Sequence, residues 1–304
     1  MLLKSKVTAP VGYRLRDWIV TVVCAALILW ASQPWNVMEF KHLALLTFNL
    51  FFVFILLWWT DQYEREPIFS LLWALTWGAF PACLFAIFLE SSNTSLMGSV
   101  FIEEFLKLIG LFIVFRRGSI ESWSDGLVIG GFIGLGFAAF EDILYAINGG
   151  DVFATLVYRG IFSIFAHTFF SGIGATLIIV GLLSKRYWLS FIGFVAAFTL
   201  HLMWNTILAI QILENNFVLF SIFFSFLPPL VLITTSLIVR RHERNTLKSK
   251  GFQAVANGII SSDQLDLIST LKNRRQLLKS LQTKDEKAAV RFELAQLTRM
   301  VLKL

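Results

Sequence analysis

Charge is scarce in this chain. Asp, Glu, Lys and Arg together make up 15% of its 304 residues, where a soluble globular domain carries about a quarter. That shortage argues against a water-facing surface over most of the molecule. Cysteine is scarcer still. The two present, Cys24 and Cys83, both lie inside hydrophobic runs, so neither a disulfide framework nor a zinc finger follows from them. Apolar residues fill the chain instead: 57% are hydrophobic, with 31 Phe and 10 Trp, and the mean hydropathy is +0.71. The aromatics read as lipid-facing filler rather than as a site.

A helix needs roughly 20 mostly apolar residues to cross the hydrocarbon core of a bilayer. Eight stretches qualify, at about 17–33, 43–59, 68–89, 99–115, 125–147, 154–183, 188–212 and 217–239. The expected fold is all-α, a polytopic membrane bundle of about eight transmembrane helices. Gln33-Pro34-Trp35 follows the first run in place of a small-residue cleavage site, so that run reads as a retained span. Basic residues set the orientation. With the N-terminus inside, the inner segments carry Lys4, Lys6, Arg14 and Arg16, then Arg65, then Arg116 and Arg117, then Lys185 and Arg186. Arg240 and Arg241 open the tail, and the outer loops hold only Lys41. This asymmetry places both termini in the cytoplasm.

Residues 1–240 are expected to form the membrane domain and 241–304 a basic cytoplasmic helical tail. From residue 240 onward there are 14 Lys and Arg against 6 Asp and Glu. Such a segment lies near the membrane surface, with anionic lipid as its partner. No nucleic-acid recognition motif accompanies the charge. Ser261-x-x-Gln264 and Thr283-x-x-Glu286 have capping-box spacing ahead of apolar periodic stretches, which predicts a helical hairpin.

An ionisable residue inside a span costs at least about 2.5 kcal/mol on insertion scales and usually faces a cavity or a partner. The fourth span nevertheless carries Glu103, Glu104 and Lys107, the fifth Glu141 and Asp142, the sixth Arg159 and His167, and the seventh His201 and Asn205. At 1.5 Å per residue, Glu103, Glu104 and Glu141 lie about 6–9 Å from the outer ends of their spans, Asn205 about 10 Å, His201 about 16 Å and His167 about 20 Å. All fall in the outer half or at the midplane. Glu103 and Lys107 are four apart in the favourable order for an ion pair, which leaves Glu104 turned elsewhere. Gly126, Gly130 and Gly134 recur every four residues of the fifth span, so that span is expected at the centre of the bundle.

Carboxylates beside imidazoles in a wet cavity suit hydrolysis of a polar bond. A glutamate can take a proton from water and return it to a leaving amine, while an amide such as that of Asn205 stabilises an oxyanion. Two histidines and a carboxylate (His167, His201 and Glu141) could equally hold Zn²⁺ with one open position. The sequence does not choose between metal-free and metal-dependent versions. There is no His-Glu-x-x-His, no Gly-x-Ser-x-Gly and no Walker loop. A Ser171/His201 dyad is the residual serine alternative. A proton- or ion-coupled transporter is the competing class, since buried acids and histidines also suit a proton relay.

Four motifs in order resemble those of the PrsW intramembrane proteases, a family related to the CAAX-processing membrane proteases. They are Glu103-Glu104-Phe105-Leu106-Lys107; Gly134-Leu135-Gly136-Phe137-Ala138-Ala139-Phe140-Glu141-Asp142 with Tyr145; Arg159 with His167; and His201-Leu202-Met203-Trp204-Asn205. The resemblance covers about residues 60–210 and leaves out the tail. It implies a bacterial plasma-membrane endopeptidase that cuts a single-span, anti-sigma-factor-like protein near the extracytoplasmic side. By carry-over Glu103, Glu104, Glu141, His167 and His201 are the active-site residues. Asp142 departs from the family pattern, which has Asn there.

Overall fold

The computed structural model describes residues 15–63, 65–90, 95–117, 120, 122–149, 151–213 and 226–304. The basic residues Lys4, Lys6 and Arg14 and the first part of the expected eighth span lie outside these. Among the described residues every regular element is helical. The chain runs through α1 (Leu15–Ser32), α2 (Phe40–Thr60), α3 (Ile68–Trp77), α4 (Cys83–Leu89), α5 (Leu96–Arg116), α6 (Trp123–Asn148), α7 (Val152–Leu183) and α8 (Tyr187–Leu213). It continues with α9 (Leu227–Ala256), α10 (Ser262–Ser269), α11 (Leu271–Ser280) and α12 (Lys284–Lys303). Helices α3 and α4 are one span, Ile68–Leu89, joined by a π-helical segment at Gly78–Ala82. Pro81 lies in that segment; it has no N–H to donate and its ring displaces the carbonyl one turn back, and a π-bulge absorbs both.

By length and composition five helices can cross a bilayer: Phe40–Thr60, Ile68–Leu89, Trp123–Asn148, Val152–Leu183 and Tyr187–Ile210. The other three expected spans differ from these. The apolar part of α1 is shorter, at Trp18–Ser32; α5 is broken chemically by Glu103, Glu104 and Lys107; and the last span is the front of α9. The molecule is an all-α polytopic membrane bundle.

Helix α6 stands at its centre, as its glycines predict. Of its apolar window 78% is buried, against 28% for α2 and 22% for α8. Two glycine rows serve different neighbours. A Cβ on Gly134 would strike the carbonyl of His167 on α7, and one on Gly136 would strike the carbonyl of Leu75 on α3. These approaches bring α6 backbone to backbone with both partners, the role small residues play between membrane helices.

The tail departs from the expected hairpin. The junction at residue 240 is not a break, because α9 runs through it to Ala256; its Arg, Glu, Lys and Leu residues there are good helix formers. Both capping boxes form, Ser261 with Gln264 and Thr283 with Glu286. An additional helix, α11, follows the extended Thr270. Leu247, Leu265, Ile268, Leu294 and Val301 build a core of the tail's own, and Tyr63 from the α2–α3 loop inserts into it. Arg274 fastens that loop by donating to the carbonyls of Tyr63 at 3.0 Å and Gln62 at 3.4 Å.

Gly136→Ala should therefore force α3 and α6 apart. Overpacking of this kind costs about 1–3 kcal/mol, so a clear fall in the thermal unfolding midpoint of the purified protein in detergent is expected, and an unchanged midpoint would show that the contact is not tight.

Candidate active site

Helices α5 to α8 each contribute to one buried polar cluster, in the half of the bundle away from the tail. On α5, Glu103, Glu104 and Lys107 share a face by helical spacing and are all buried. The close ion pair is not the expected one. Lys107 Nζ lies 2.8 Å from Glu104 Oε1 and 3.8 Å from Glu103 Oε2, so Glu104 holds the ammonium and Glu103 is left turned toward the histidines. The Lys107 head sits 3.9 Å from the centre of the Phe137 ring, which supplies cation–π attraction.

The two histidines meet edge to face, their ring centres 4.6 Å apart. Each is oriented by a different glutamate. His201 Nδ1 is 2.8 Å from Glu104 Oε1; a carboxylate only accepts, so Nδ1 carries the proton and Nε2 presents a lone pair. His167 Nε2 is 3.1 Å from Glu141 Oε2, and by the same reasoning its Nδ1 is the acceptor, taking a hydrogen bond from Lys107 Nζ at 3.2 Å. Arg159 anchors the outer part of this network. It donates to Glu141 Oε2 and Asp142 Oδ1, both at 2.7 Å, and lies over the Tyr145 ring. Arg159 thus neutralises both acids.

Glu103, Glu104, Lys107, Glu141, Asp142, Arg159, His167, His201 and Asn205 all enter this cluster, though not always in the role their spacing suggested. Glu103, His167 and His201 place one ligand atom each within 4.8 Å of one another. The carboxylate in that group is Glu103; Glu141 instead stands behind His167. Asn205 Nδ2 is 3.2 Å from His201 Nε2. The Ser171/His201 dyad is not formed: Ser171 Oγ is buried without a hydrogen-bond partner, and both ring nitrogens of His201 face other groups. The aromatics dismissed as filler also matter. Phe170 stacks on His201 at 5.7 Å, and Phe137 lies 5.7 Å from His167. Their signal in the sequence was position, Phe170 three residues after His167 and Phe137 four before Glu141.

The residues fit a divalent metal. Glu103 Oε2 is buried and has no hydrogen-bond partner, an expensive state for a carboxylate oxygen unless something else satisfies it. Four acidic side chains, Glu103, Glu104, Glu141 and Asp142, meet two basic ones, Lys107 and Arg159, and a divalent cation would close that imbalance. Two imidazoles and one carboxylate are a recurrent donor set of catalytic zinc. The glutamates on the far ring nitrogens match the outer support such ligands usually have.

The profile of the PrsW family of intramembrane metalloproteases matches residues 66–233, a stretch that contains the entire cluster. The chain is 36% identical over 101 residues to Protease PrsW of Bacillus subtilis (strain 168), covering 30% of this chain and 46% of that one. It is 27% identical over 122 residues to Protease PrsW of Geobacillus kaustophilus (strain HTA426), covering 36% and 53%. It therefore spans about half the length of the curated relatives it matches. No solved structure matches it. With more than half of its length and the whole α5–α8 polar cluster inside the matched region, the chain belongs to the PrsW family of intramembrane metalloproteases.

Proposed function

We propose that the protein is a membrane-embedded endopeptidase that hydrolyses a peptide bond of a single-span membrane protein. The observation that carries the reading is the approach of Glu103, His167 and His201 within 4.8 Å, each histidine braced by its own glutamate. Glu103, His167 and His201 are the residues that would hold the metal. When bound, a zinc ion would act as a Lewis acid and make water nucleophilic at neutral pH. Glu104 takes the proton that the water gives up and returns it to the leaving amine. It is buried beside the cluster but outside the ligand set, and Lys107 holds its carboxylate in place at 2.8 Å. Glu141 and Arg159 fix the His167 ring, and the Asn205 amide supplies a donor next to His201 for the developing oxyanion.

The depths counted along the spans and the distribution of basic loop residues support cleavage near the extracytoplasmic side of a bacterial plasma membrane, with both termini in the cytoplasm. An anti-sigma-factor-like protein is the substrate class this reading favours, the family resemblance being its ground. The basic tail lies against the inner leaflet, with anionic lipid as its partner.

Metal content by elemental analysis and cleavage of a single-span tester substrate test the assignment together. Glu103→Gln and His201→Ala should lose both bound zinc and cleavage. Glu104→Gln should keep more zinc than Glu103→Gln while its rate falls by about 10²–10⁴-fold, the range for loss of a general base. Glu141→Gln should lose about 10–100-fold in affinity or activity, as outer-shell changes do. Full zinc and a wild-type rate in Glu103→Gln would falsify the ligand set.

Asp142→Asn is expected to retain activity close to that of the wild type. An amide oxygen can still accept from Arg159 Nε, and Asp142 Oδ2 is buried without a hydrogen-bond partner, so the amide loses nothing that Oδ2 supplies. A loss as large as that of Glu141→Gln would mean that the second negative charge is needed.

A further inference from the structure

A separate cavity of about 670 Å³ opens at the tail end of the bundle, a volume within the range of small-molecule sites. It lies between the start of α6, the turn from α7 into α8, and one face of α9. Val239, His242, Thr246 and Lys250 project from α9 at spacings that keep them on a single stripe. Along that stripe the character passes from apolar to cationic over about 16 Å of helix. The facing wall makes the same change, from Val180 and Leu183 at the end of α7 to Arg186 in the turn. Trp123 closes one side by stacking on His242, with ring centres 4.1 Å apart.

We propose that this cavity binds an anionic glycerophospholipid, its phosphate held by Arg186 and Lys250 and its acyl chains lying along Val180, Leu183 and Val239. An ion would have no use for the apolar half, and a hydrocarbon none for the cationic half. Both halves are needed by an amphiphile whose headgroup sits at the level where the bundle leaves the bilayer. Among the described residues Arg186 has no carboxylate partner, and Lys250 reaches only the carbonyl of Leu302 at 2.5 Å. The lining holds one acid, Glu243, against the two cations Arg186 and Lys250. The cavity is therefore net cationic. Interfacial Lys and Arg near such a surface are the usual recognition elements for anionic headgroups. The site is distinct from the α5–α8 cluster, and the proposal stands whether or not the protein cleaves peptides.

Native mass spectrometry of the full chain in detergent, titrated with phosphatidylglycerol or phosphatidylcholine, tests it. One phosphatidylglycerol should be retained per chain, with a preference of about tenfold over phosphatidylcholine. The pair Arg186→Gln and Lys250→Gln should abolish that preference, while Lys272→Gln with Lys279→Gln, on α11 outside the cavity, should leave it intact. Equal retention of the two lipids overturns the proposal, as does an equal loss in the α11 pair, which would mean diffuse attraction to tail charge. Displacement of the lipid by glycerol 1-phosphate alone also overturns it, since the ligand would then be a soluble phosphate. Phosphatidylglycerol with a diazirine in its acyl chain gives a check on the unmodified protein. Crosslinks should map to the segment 180–189 and to Val239, and a map that avoids both sinks the idea.

Discussion

Removing a charged side chain from water into the middle of a bilayer costs at least about 2.5 kcal/mol on insertion scales. The bundle pays this six times in one place, with Glu103, Glu104, Lys107, Glu141, Asp142 and Arg159 all drawn into the α5–α8 cluster. Such a cluster is tolerable only if each charge has a partner within a few ångströms, because Coulomb attraction is strong where the surroundings are poorly polarisable. Hence Lys107 lies within 2.8 Å of Glu104 and Arg159 within 2.7 Å of two acids. Those pairings in turn fix how each imidazole ring is turned. The geometry that brings His167 and His201 beside Glu103 is thus a consequence of charge pairing. It needs no strain and no dedicated loop.

Holding four helices at that precision requires a rigid centre, and α6 supplies it. Its glycines at 134 and 136 let the backbones of α7 and α3 come into contact, so His167 and Glu141 sit on helices that cannot slide past each other without a steric penalty. The π-helical segment around Pro81 belongs to the same device. Gly78, at its start, meets the carbonyl of Ile133 on α6 just as Gly136 meets that of Leu75. Helix α3 is therefore locked to α6 at two levels, one above the other.

Much of this was legible in the sequence, for reasons that can be named. Spans announce themselves because lipid demands long apolar runs, and acids inside them stand out against that background. The spacing of the glycines foretold the central place of α6. What could not be read was rotation. Glu103 and Glu141 are both acids on inward-facing helices at similar depth, and only the angular setting of α5 against α8 decides that Glu103 faces the histidines. The pairing of Lys107 shows the same limit, since i,i+3 and i,i+4 partners are both open to it. Phe137 and Phe170 were hidden among 31 phenylalanines, where composition carries no positional information. In the tail the capping boxes were readable because they are local. The continuity of α9 across residue 240 was not, because a drop in hydropathy marks where the membrane ends and says nothing of where a helix does.

That continuity has a mechanical meaning. A helix that passes unbroken from the apolar region into the tail transmits position between them, since bending it would sacrifice backbone hydrogen bonds. The tail is joined to the bundle a second time through Tyr63, buried in the tail core, and through Arg274, whose two donations hold the carbonyls of residues 62 and 63. Five residues later α3 begins, and α3 lies against the backbone of α6 at Leu75 and Gly136. Helix α6 carries Glu141 five residues further on. A continuous path of covalent chain and close packing thus leads from the tail core to the glutamate that orients His167. Its weakest link is the connection from α2 to α3, where three guanidinium hydrogen bonds, two from Arg274 and one from Arg240, replace helix packing, and it is there that a change in the position of the tail would be absorbed or passed on.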